Sequence, residues 1–425
     1  MRLPVAEPFK SDLSIRCLMK ILRIIARLNV GGPARHVVWL TRALSDDEFE
    51  SRLIAGSVPE GEESMEYFAA EHGVEPDYIR EMSRELSPRD VVSLWKVYRE
   101  IRSFRPDVIH THTAKAGTIG RAAAFVYRWL TPSILIGRPR RLRVVHTFHG
   151  HVFHSYYGAA KTSLFLFIER VLARLVTDRI IVISRQQLDE INGKFGVGRA
   201  EQFRVVPLGI DLEPFANAST DRQRLRAEWG VADGDVLFGF VGRLTEIKNI
   251  PLFIEAVSGL IKADPVSAAK MKFVIVGDGH LRPELESLAA KMGIGEELFF
   301  AGNRTDIPSV YSALDGVVLT SLNEGTPLSL IEAMAAGKPV VSSVVGGVSD
   351  LLGALREEHD GFQIYERGLG FASGDADGLQ KGLTYLANNE RLRNELGEKG
   401  NEFVCGSYSK ERLVEDMTAL YRELF

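Results

Sequence analysis

Residues 316–342 read GVVLTSLNEGTPLSLIEAMAAGKPVVS, and this stretch decides the fold class. An apolar run, Gly316–Thr320, is followed by a polar loop, an apolar-periodic segment over 328–336, a turn with a glycine and a second apolar run, Pro339–Ser342. Short β-type runs that alternate with helical segments are typical of parallel α/β sheets. The stretch therefore predicts one β-α-β unit of such a sheet.

The same alternation continues along the chain in both directions. It predicts further strands at Ile21–Leu28, Asp107–His110, Val144–Phe148, Ile180–Ser184, Phe203–Val206, Val236–Val241, Phe273–Val276 and Leu298–Phe300. A chain of 425 residues is too long for one core, so about two or three domains are expected.

The segment Pro207–Asp211 lies between the two sets of strands and marks the crossing between the halves. The chain then divides into a loose N-terminal extension (1–18), an N-terminal domain (19–208), a C-terminal domain (209–405) and a closing segment of helical pattern (406–425). Met19 stands directly before the first strand and is an alternative to Met1 as the natural start.

Composition and charge narrow the function classes. Apolar residues make up 45% and charged residues 25%, which is ordinary for a soluble enzyme. The formal net charge of −4 argues against a nucleic-acid partner. The two cysteines, Cys17 and Cys405, form no C-x-x-C pair, so a reducing cytoplasm is expected. No apolar run approaches the roughly 18 residues that span a bilayer.

Two cations follow the strand Val236–Val241. Gly242-Arg243-Leu244 ends the strand, and Lys248 follows Arg243 by five residues. Ligands of open α/β sheets bind at the carboxyl ends of strands, and two cations there suit a diphosphate. Gly242 lets a ligand approach the backbone closely. The competing interpretation is a solvated surface pair.

The loop after the strand Gly316–Thr320 is the sharper signal. Thr326 is placed to cap a helix, and Pro327 is placed to begin it. Free backbone N–H groups and the positive end of the helix dipole then lie beside Gly325. This helix start is therefore a candidate anion site.

Two carboxylates frame this helix start. Glu324 precedes the helix, and Glu332 lies more than one turn inside it, so both can serve one ligand without touching each other. Carboxylates accept hydrogen bonds from sugar hydroxyls, including the paired hydroxyls of a ribose. The alternative is one capping glutamate and one surface glutamate, but the apolar setting of Glu332 disfavours a purely solvated role.

The dinucleotide-binding fingerprint G-x-G-x-x-G is incomplete. Gly277-Asp278-Gly279 ends a strand, but Arg282 occupies the position of the third glycine. Near the N-terminus only Gly31-Gly32 occurs. Since the full fingerprint holds the pyrophosphate of dinucleotide cofactors, a dinucleotide dehydrogenase is disfavoured.

Together these residues resemble the retaining GT-B glycosyltransferases of family 4, also called group 1. The resemblance rests on Gly242-Arg243-Leu244 with Lys248, Gly277-Asp278-Gly279, Glu324-Gly325-Thr326-Pro327 to Glu332-Ala333, Gly337-Lys338-Pro339-Val340, Gly31-Gly32-Pro33-Ala34-Arg35-His36, Asp107-Val108-Ile109-His110-Thr111-His112 and His146-Thr147-Phe148-His149-Gly150. The E-x7-E element is quite specific, and the resemblance covers nearly the whole chain after residue 19.

The resemblance implies two Rossmann-like domains that face each other across a donor and acceptor cleft. The N-terminal domain then binds the acceptor, the C-terminal domain binds a nucleoside-diphosphate sugar, and the last helix packs back on the first domain. Arg243 and Lys248 hold the diphosphate, Glu332 binds the ribose hydroxyls, and Glu324 contacts the donor sugar. His149 matches the family's active-site histidine.

By the same resemblance, His149, Glu324, Arg243 and Lys248 are the catalytic candidates. The remaining donor-binding candidates are Gly31, Gly32, Gly242, Gly277, Asp278, Gly279, Ser321, Gly325, Thr326, Pro327, Leu328 and Glu332. The family's common donor is a UDP-hexose or a UDP-N-acetylhexosamine, with GDP-mannose second. A glycan or lipid-linked acceptor in bacterial surface or exopolysaccharide synthesis is expected by analogy alone.

The chain departs from the family pattern at two places. Leu208 stands where the family often has an asparagine in the inter-domain turn, and Val348-Ser349-Asp350 replaces a more usual proline-glutamate ending. These departures concern the local shape of the hinge and of the donor-site rim, not the core motif.

Six of the ten histidines fall between His110 and His154. His110 and His112 alternate on a strand end and so share a face, which leaves a metal site as an alternative. No cysteine and few acids accompany them, and Arg243, Lys248 and the helix start already balance a diphosphate. We therefore expect no metal and no other cofactor.

A basic cluster follows in the first half, at Arg138, Arg140, Arg141 and Arg143. It suits contact with anionic lipid or with a lipid diphosphate acceptor, and a solvated loop is the competing interpretation. A cytoplasmic location is expected, and the first interpretation of the cluster would add peripheral contact with the inner face of the membrane.

Two other functions would use the same donor half. A sugar-nucleotide epimerase of GT-B shape needs no second sugar, so acceptor-dependent transfer distinguishes it from a transferase. A catalytically silent partner would bind nucleotide without turnover.

Overall fold

The computed structural model describes residues 18–29, 31–59, 64–82, 88–131, 134, 137–149, 159–216 and 221–425. Nearly all of the predicted extension, and Gly150 of the histidine motif, lie outside the described residues. The chain divides into two compact units. The first unit comprises the described residues up to Thr147 with Val171–Arg179 and Tyr421–Phe425, and the second comprises Phe148–Arg170 and Ile180–Leu420. The predicted domain limits, 19–208 and 209–405, stay predictions.

The N-terminal part of the chain contributes a seven-stranded sheet. Its strands are β1 (Met19–Ile25), β2 (Phe49–Gly56), β3 (Asp77–Ile79), β4 (Val108–His112), β5 (Arg143–Phe148), β6 (Arg179–Val182) and β7 (Phe203–Val205), in the order β3-β2-β1-β4-β5-β6-β7. Its helices are α1 (Gly32–Ala43), α2 (Glu66–Glu71), α3 (Asp90–Phe104), α4 (Ala114–Trp129), α5 (Ala159–Leu175) and α6 (Arg185–Leu188).

The C-terminal part contributes an eight-stranded sheet. Its strands are β8 (Val236–Val241), β9 (Met271–Val276), β10 (Leu298–Gly302), β11 (Gly316–Leu319), β12 (Val340–Ser343), β13 (Leu355–Glu358), β14 (Phe362–Tyr365) and β15 (Gly368–Phe371), in the order β10-β9-β8-β11-β12-β15-β14-β13. The remaining helices are α7 (Glu213–Ala216), α8 (Arg222–Glu228), α9 (Ile250–Ala263), α10 (Pro265–Ala268), α11 (Arg282–Met292), α12 (Ile307–Ala313), α13 (Leu328–Ala335), α14 (Val348–Leu352), α15 (Ala376–Ala387), α16 (Glu390–Tyr408) and α17 (Lys410–Glu423).

Burial explains why these runs form strands. β8 reads VLFGFV, and five of its six residues are buried. Central strands of a parallel sheet are covered on both faces and are therefore apolar almost throughout. Parallel pairs join β10 to β9, β9 to β8, β8 to β11, β11 to β12 and β12 to β15, and the alternation with helices confirms the predicted fold class of two Rossmann-like α/β halves.

None of the helices in the described part of the chain is long and apolar enough to cross a bilayer.

The crossing segment is tied to the start of α17. The Arg412 guanidinium donates hydrogen bonds to the carbonyl groups of Pro207 and Leu208, each at 2.8 Å. The Ile210 N–H donates to the Tyr408 carbonyl at 2.8 Å. Because these contacts use backbone atoms of the crossing segment, they do not require an asparagine at position 208.

The order of the second sheet reverses between β8 and β11. β9 lies beside β8 on one side and β11 lies on the other, although β9 follows β8 in the chain. Open α/β sheets bind their ligands in the crevice outside the carboxyl ends of the strands at such a reversal. The residues that follow β8 and β11 therefore form the expected ligand-binding edge of this sheet.

Asp315 joins the opposite, amino ends of β8 and β11. Its carboxylate accepts hydrogen bonds from the Leu237 N–H at 2.8 Å, from Arg222 at 2.6 Å and from Arg226 at 2.9 Å. Burial alone would raise the pKa of Asp315, but these donors outweigh burial and hold the pKa below its usual value. The charged carboxylate therefore stabilises the sheet that carries the expected edge.

We expect Asp315→Asn to lower the free energy of unfolding by about 3 kcal/mol, because two guanidinium groups then lack their counter-charge. The pKa of Asp315 is lower in the folded chain, so its stabilisation is full above the unfolded pKa and is lost as pH falls through the folded pKa. Urea unfolding at neutral and acidic pH measures both effects. Asp360→Asn is the control, since that side chain is 93% exposed. Equal stability of the two variants at neutral pH would contradict the assignment.

Candidate functional site

An ion pair connects the loops that follow β8 and β11. Lys248 Nζ lies 2.5 Å from Glu324 Oε1, and the two side chains are 21% and 11% exposed. Ser321 Oγ donates a hydrogen bond to the same oxygen at 2.6 Å. Glu324 Oε2 forms no hydrogen bond with a residue that the structure describes. One carboxylate oxygen is thus fixed and the other stays available to a ligand.

Backbone contacts hold the two loops together. The Leu322 N–H donates to the Ile247 carbonyl at 2.8 Å, and the Thr320 hydroxyl donates to the Lys248 carbonyl at 2.8 Å. Lys248 ends a short 3₁₀ turn, and Asn249 follows in the left-handed conformation with a φ of 46°. Asparagine tolerates that conformation better than most residues, so the sequence favours this turn.

Arg243 is exposed and follows the carboxyl end of β8. Its guanidinium forms no hydrogen bond or ion pair with any part of the chain that the structure describes. Arg243 is therefore a cation without a protein counter-ion at the ligand-binding edge.

The turn after β9 lies against the turn after β8. The Leu244 N–H donates to the Asp278 carbonyl at 3.0 Å. Gly277 has a φ of 133°, and a Cβ atom there would lie 1.9 Å from the Gly242 carbonyl oxygen. Only glycine fits this close approach, so Gly277 shapes the edge whether or not it touches a ligand.

The side chain of Asp278 contacts residues close to it in the chain. It accepts a hydrogen bond from the Gly279 N–H at 2.7 Å and lies 3.2 Å from the Arg282 guanidinium. The Gly279 N–H and then Arg282 hold the pKa of Asp278 below its usual value. Arg282, which occupies the position of the third glycine in the dinucleotide fingerprint, thus pairs with Asp278.

The helix after β11 starts later than predicted. α13 begins at Leu328, Pro327 is its N-cap with an extended ψ of 106°, and no side chain caps it. The prediction that Thr326 caps the helix and that Pro327 begins it is wrong, because Pro327 itself has an extended backbone and helical dihedral angles start one residue later, at Leu328. The N–H groups of Leu328 and Ser329 donate to no described residue, as expected of a first helical turn.

Two adjacent glycines, Gly346 and Gly347, lie against the loop that precedes this helix. The Gly347 N–H donates to the Glu324 carbonyl at 3.0 Å. Gly346 has a φ of 55°, and a Cβ atom there would lie 1.9 Å from the same carbonyl oxygen. Sequence reasoning did not include this pair in the site, although two adjacent glycines after β12 are a visible signal of close backbone approach.

Glu332 lies on α13 and is half-buried. Tyr311 OH donates to Glu332 Oε2 at 3.0 Å from α12. Burial and the neighbouring carboxylate raise the pKa of Tyr311 well above its usual value, so the phenol stays a donor. Tyr311 was not predicted, because nothing in the sequence links a tyrosine of α12 to a glutamate of the next helix.

In the first unit, the predicted glycines lie at the carboxyl end of β1. Gly31 is the N-cap of α1, and Gly32 is its first residue. His110 and His112 share a face, as their alternation predicts, with ring centres 4.1 Å apart. The ring nitrogens of His110 are hydrogen-bonded to Tyr421 OH at 2.6 Å and to Thr147 Oγ1 at 2.7 Å.

His149 directly follows β5 in the chain and is half-buried. Its Nδ1 atom is shielded from solvent. Burial lowers the pKa of His149 to about 3, so the imidazole is neutral at neutral pH. A neutral imidazole can orient a ligand through hydrogen bonds, but it carries no charge of its own.

Two family models match most of the chain. The model described as Glycosyltransferase Family 4 matches residues 30–214, and the model described as Glycosyl transferases group 1 matches residues 221–403.

Proteins with assigned activities are similar over most of their length. The UDP-Gal:alpha-D-GlcNAc-diphosphoundecaprenol alpha-1,3-galactosyltransferase of Escherichia coli is 31% identical, over 79% of this chain and 80% of that protein. A D-inositol 3-phosphate glycosyltransferase of Salinispora arenicola is 28% identical, over 75% of this chain and 68% of that protein.

A solved structure shows the same fold. Anabaena Alr3699/HepE in complex with UDP superimposes with a TM-score of 0.75 at 20% identity, over 95% of this chain and all of that chain. With the family models and the Escherichia coli relative, this fold shows that the chain belongs to the glycosyltransferases of family 4, also called group 1, and that its two Rossmann-like halves are those of a GT-B enzyme.

Proposed function

We propose that this glycosyltransferase takes a UDP-hexose or a UDP-N-acetylhexosamine and transfers the sugar, with retention of its anomeric configuration, to a glycan or lipid-linked acceptor. The Escherichia coli relative is named for UDP-Gal and a diphosphoundecaprenol acceptor, and the HepE structure contains UDP, which supports the donor and acceptor classes. The setting is bacterial surface or exopolysaccharide synthesis, at the inner face of the membrane.

The arrangement of charge at the carboxyl ends of β8 and β11 carries this proposal. Arg243 has no protein counter-ion among the described residues, and Lys248 shares its charge with Glu324 alone. The first N–H groups of α13 add a third source of positive potential. A diphosphate bound here would meet two cations and a helix start, which favours departure of a nucleoside diphosphate.

Glu324 supplies the contact to the sugar. Lys248 and Ser321 fix its Oε1 atom, so Oε2 is oriented and can accept a hydrogen bond from a donor-sugar hydroxyl. The Glu324 carboxylate also neutralises the Lys248 ammonium. The pair therefore carries no net charge before a diphosphate binds. Glu324 thus positions the sugar next to its leaving group.

Glu332 supplies the contact to the ribose. Its carboxylate accepts a hydrogen bond from Tyr311, which fixes the side chain on α13. A fixed carboxylate accepts hydrogen bonds from two neighbouring hydroxyls, as a ribose presents them.

The transfer itself needs no protein base in this proposal. The bond from the anomeric carbon to the diphosphate oxygen breaks, a bond to the acceptor oxygen forms on the same face, and the departing phosphate oxygen takes the acceptor proton. An inverting enzyme would instead need a general base that faces the acceptor. His149, which is neutral, orients the sugar and is not a nucleophile. The reaction needs no metal, because Arg243, Lys248 and the start of α13 balance the diphosphate.

We expect Arg243→Ala and Lys248→Ala each to lower kcat by roughly 10²–10³, because each removes an electrostatic contact that strengthens as the leaving group gains charge. Steady-state kinetics with the nucleotide sugar measures this loss. Arg391→Ala is the control, since Arg391 is exposed and also forms no ion pair with the described chain. Wild-type kinetics in a folded double variant of Arg243 and Lys248 would refute the diphosphate site.

We expect Glu332→Gln to raise the Kd for free UDP by roughly 10- to 100-fold, the cost of losing hydrogen bonds to a charged group. Glu324→Gln should leave free UDP binding nearly unchanged and should impair sugar transfer. Calorimetric titration with UDP separates the two roles, and Glu255→Gln, an exposed glutamate of α9, is the control. Loss of UDP binding in the Glu324 variant alone would reverse the assignments.

We expect the product to keep the anomeric configuration of the donor, and His149→Ala to lower kcat sharply while changing donor affinity less. NMR of freshly formed product reads the configuration, and the same reaction run in EDTA should proceed unchanged. An inverted linkage would refute the mechanism, and a sugar trapped on His149 would refute its supporting role. Activity lost in EDTA and restored by manganese would refute the metal-free reaction. The histidines would then be candidate metal ligands.

A further inference from the structure

A buried arginine without a counter-ion lies in the first unit. Arg23 belongs to β1 and is fully buried, and within the described chain it forms no ion pair. Its guanidinium donates hydrogen bonds to two hydroxyl groups, to Ser51 Oγ at 2.9 Å and to Tyr421 OH at 3.4 Å. Burial lowers the pKa of Arg23, but an arginine side chain keeps its proton in proteins. Because a buried charge is costly, polar groups around it turn their negative ends toward it.

Tyr421, near the end of α17, is the aromatic partner of this arginine. Its side chain is fully buried in the first unit, and its ring centre lies 6.5 Å from that of Phe49. Burial raises the pKa of Tyr421, so the phenol keeps its proton and donates it. Besides Arg23, the phenol has one hydrogen-bond partner among the described residues, His110 Nδ1 at 2.6 Å. The phenol oxygen therefore accepts from the guanidinium, and the phenol proton points to His110.

His110, on β4, connects the phenol to two further residues of the same unit. Its Nε2 atom lies 2.7 Å from Thr147 Oγ1 on β5, and its ring centre lies 4.1 Å from that of His112. These three residues are fully buried. Which ring nitrogen of a histidine carries the proton is set by the hydrogen bond of the other nitrogen. Since Nδ1 accepts from the phenol, the proton of His110 lies on Nε2 and is donated to Thr147.

The opposite position of the proton conflicts with the charge of Arg23. A proton on His110 Nδ1 would point at a phenol oxygen that already accepts from the guanidinium, and the phenol proton would then lack an acceptor among the described residues. It would also turn the positive end of the imidazole toward a buried cation, and a doubly protonated ring would add a second cation. These arrangements cost free energy in an interior of low dielectric constant. The buried charge thus favours donation from Tyr421 to His110 and from His110 to Thr147.

These contacts lead to the ligand-binding edge of the first sheet. The order of that sheet reverses between β1 and β4, and His112 is the last residue of β4. Open α/β sheets bind their ligands outside the carboxyl ends of the strands at such a reversal. The ring centre of His112 lies 5.6 Å from that of His36 on α1, the helix that starts at Gly32. His110 therefore connects the buried phenol to a residue at this edge.

We propose that Tyr421 is a positioning residue for the transfer reaction: its hydroxyl fixes the proton of His110 on Nε2 and so orients the ring against which His112 packs at the edge of the first sheet. A misplacement of about 1 Å beside a reacting ligand lowers a rate by as much as about a hundredfold. The effect on the reaction rests on the proposed function, whereas the proton position of His110 is measurable without turnover.

Nitrogen-15 NMR of the histidine side chains in the full chain tests the proton position. The signals of His110 are those lost in His110→Gln and shifted in Thr147→Val, which removes the acceptor of the Nε2 proton. The wild type is expected to show a neutral ring with its proton on Nε2. Tyr421→Phe keeps the aromatic ring and should shift the Nδ1 signal toward that of a nitrogen without a hydrogen bond. A proton on Nδ1 in the wild type, or unchanged signals in Tyr421→Phe, would overturn the proposal.

Hydrolysis of UDP-galactose or UDP-N-acetylglucosamine, whichever the wild type hydrolyses faster, tests the effect on the reaction. Tyr421→Phe should lower kcat at least about tenfold and leave the Kd for free UDP unchanged, because the proposed UDP site lies in the second sheet. Thr147→Val should lower kcat more than Thr147→Ser, which keeps a hydroxyl. Tyr127→Phe is the matched control, since Tyr127 is a buried tyrosine of the same unit whose hydroxyl forms no hydrogen bond with a residue that the structure describes.

The kinetic outcomes separate the positioning role from the proposed function. Wild-type kcat in the folded Tyr421 variant, or an equal loss in the Tyr127 variant, would overturn the positioning role while hydrolysis by the wild type still supports the proposed function. If the wild type hydrolyses neither nucleotide sugar, the proposed function fails, and the NMR signals still decide the proton position of His110.

Discussion

The ion pair between Lys248 and Glu324 is the interaction on which the candidate site depends. It connects the loops after β8 and β11, at the point where the order of the second sheet reverses. A backbone hydrogen bond from the Leu322 N–H to the Ile247 carbonyl joins the same two loops. In the absence of a ligand each charge is balanced by the other. A diphosphate would give the ammonium a second anionic partner while Ser321 still holds the carboxylate.

Two close backbone approaches that only glycine permits shape the loops of the candidate site. A side chain on Gly277 would collide with the carbonyl of Gly242, and a side chain on Gly346 would collide with the carbonyl of Glu324. Both glycines therefore act on the site through the backbone that they bring close. Asp315 stabilises the opposite, amino ends of β8 and β11 through its hydrogen bonds. The contacts that stabilise the sheet there are therefore separate from the expected ligand-binding edge.

The sequence predicts some strands of this molecule and misses others. β8, which is buried nearly throughout, was predicted with its observed bounds, Val236–Val241. β13 was missed because all of its residues, Leu355–Glu358, are exposed on an edge strand and show no apolar pattern. β2, β3, β14 and β15 were also missed, although β15 is buried throughout, so burial alone does not decide which strands the sequence reveals.

The candidate site shows the same division. Its charged residues were predicted from their positions at strand ends, because the order of elements fixes where those ends lie. The partners of those residues were not, since the contacts of Tyr311 with Glu332 and of Gly346 with Glu324 join segments that only the folded chain brings together. The sequence also places His149 after a strand, but its lowered pKa depends on burial that no motif reveals.

The proposed function requires that the second sheet hold the diphosphate of a UDP-sugar at the carboxyl ends of β8 and β11. The most direct measurement is slow hydrolysis of the donor across a panel of nucleotide sugars, because this reaction needs no known acceptor. We expect release of UDP and free sugar from a UDP-hexose or a UDP-N-acetylhexosamine, at a rate well above that from GDP-mannose. Hydrolysis of GDP-mannose alone, or hydrolysis of none of the panel by a folded chain, would contradict it.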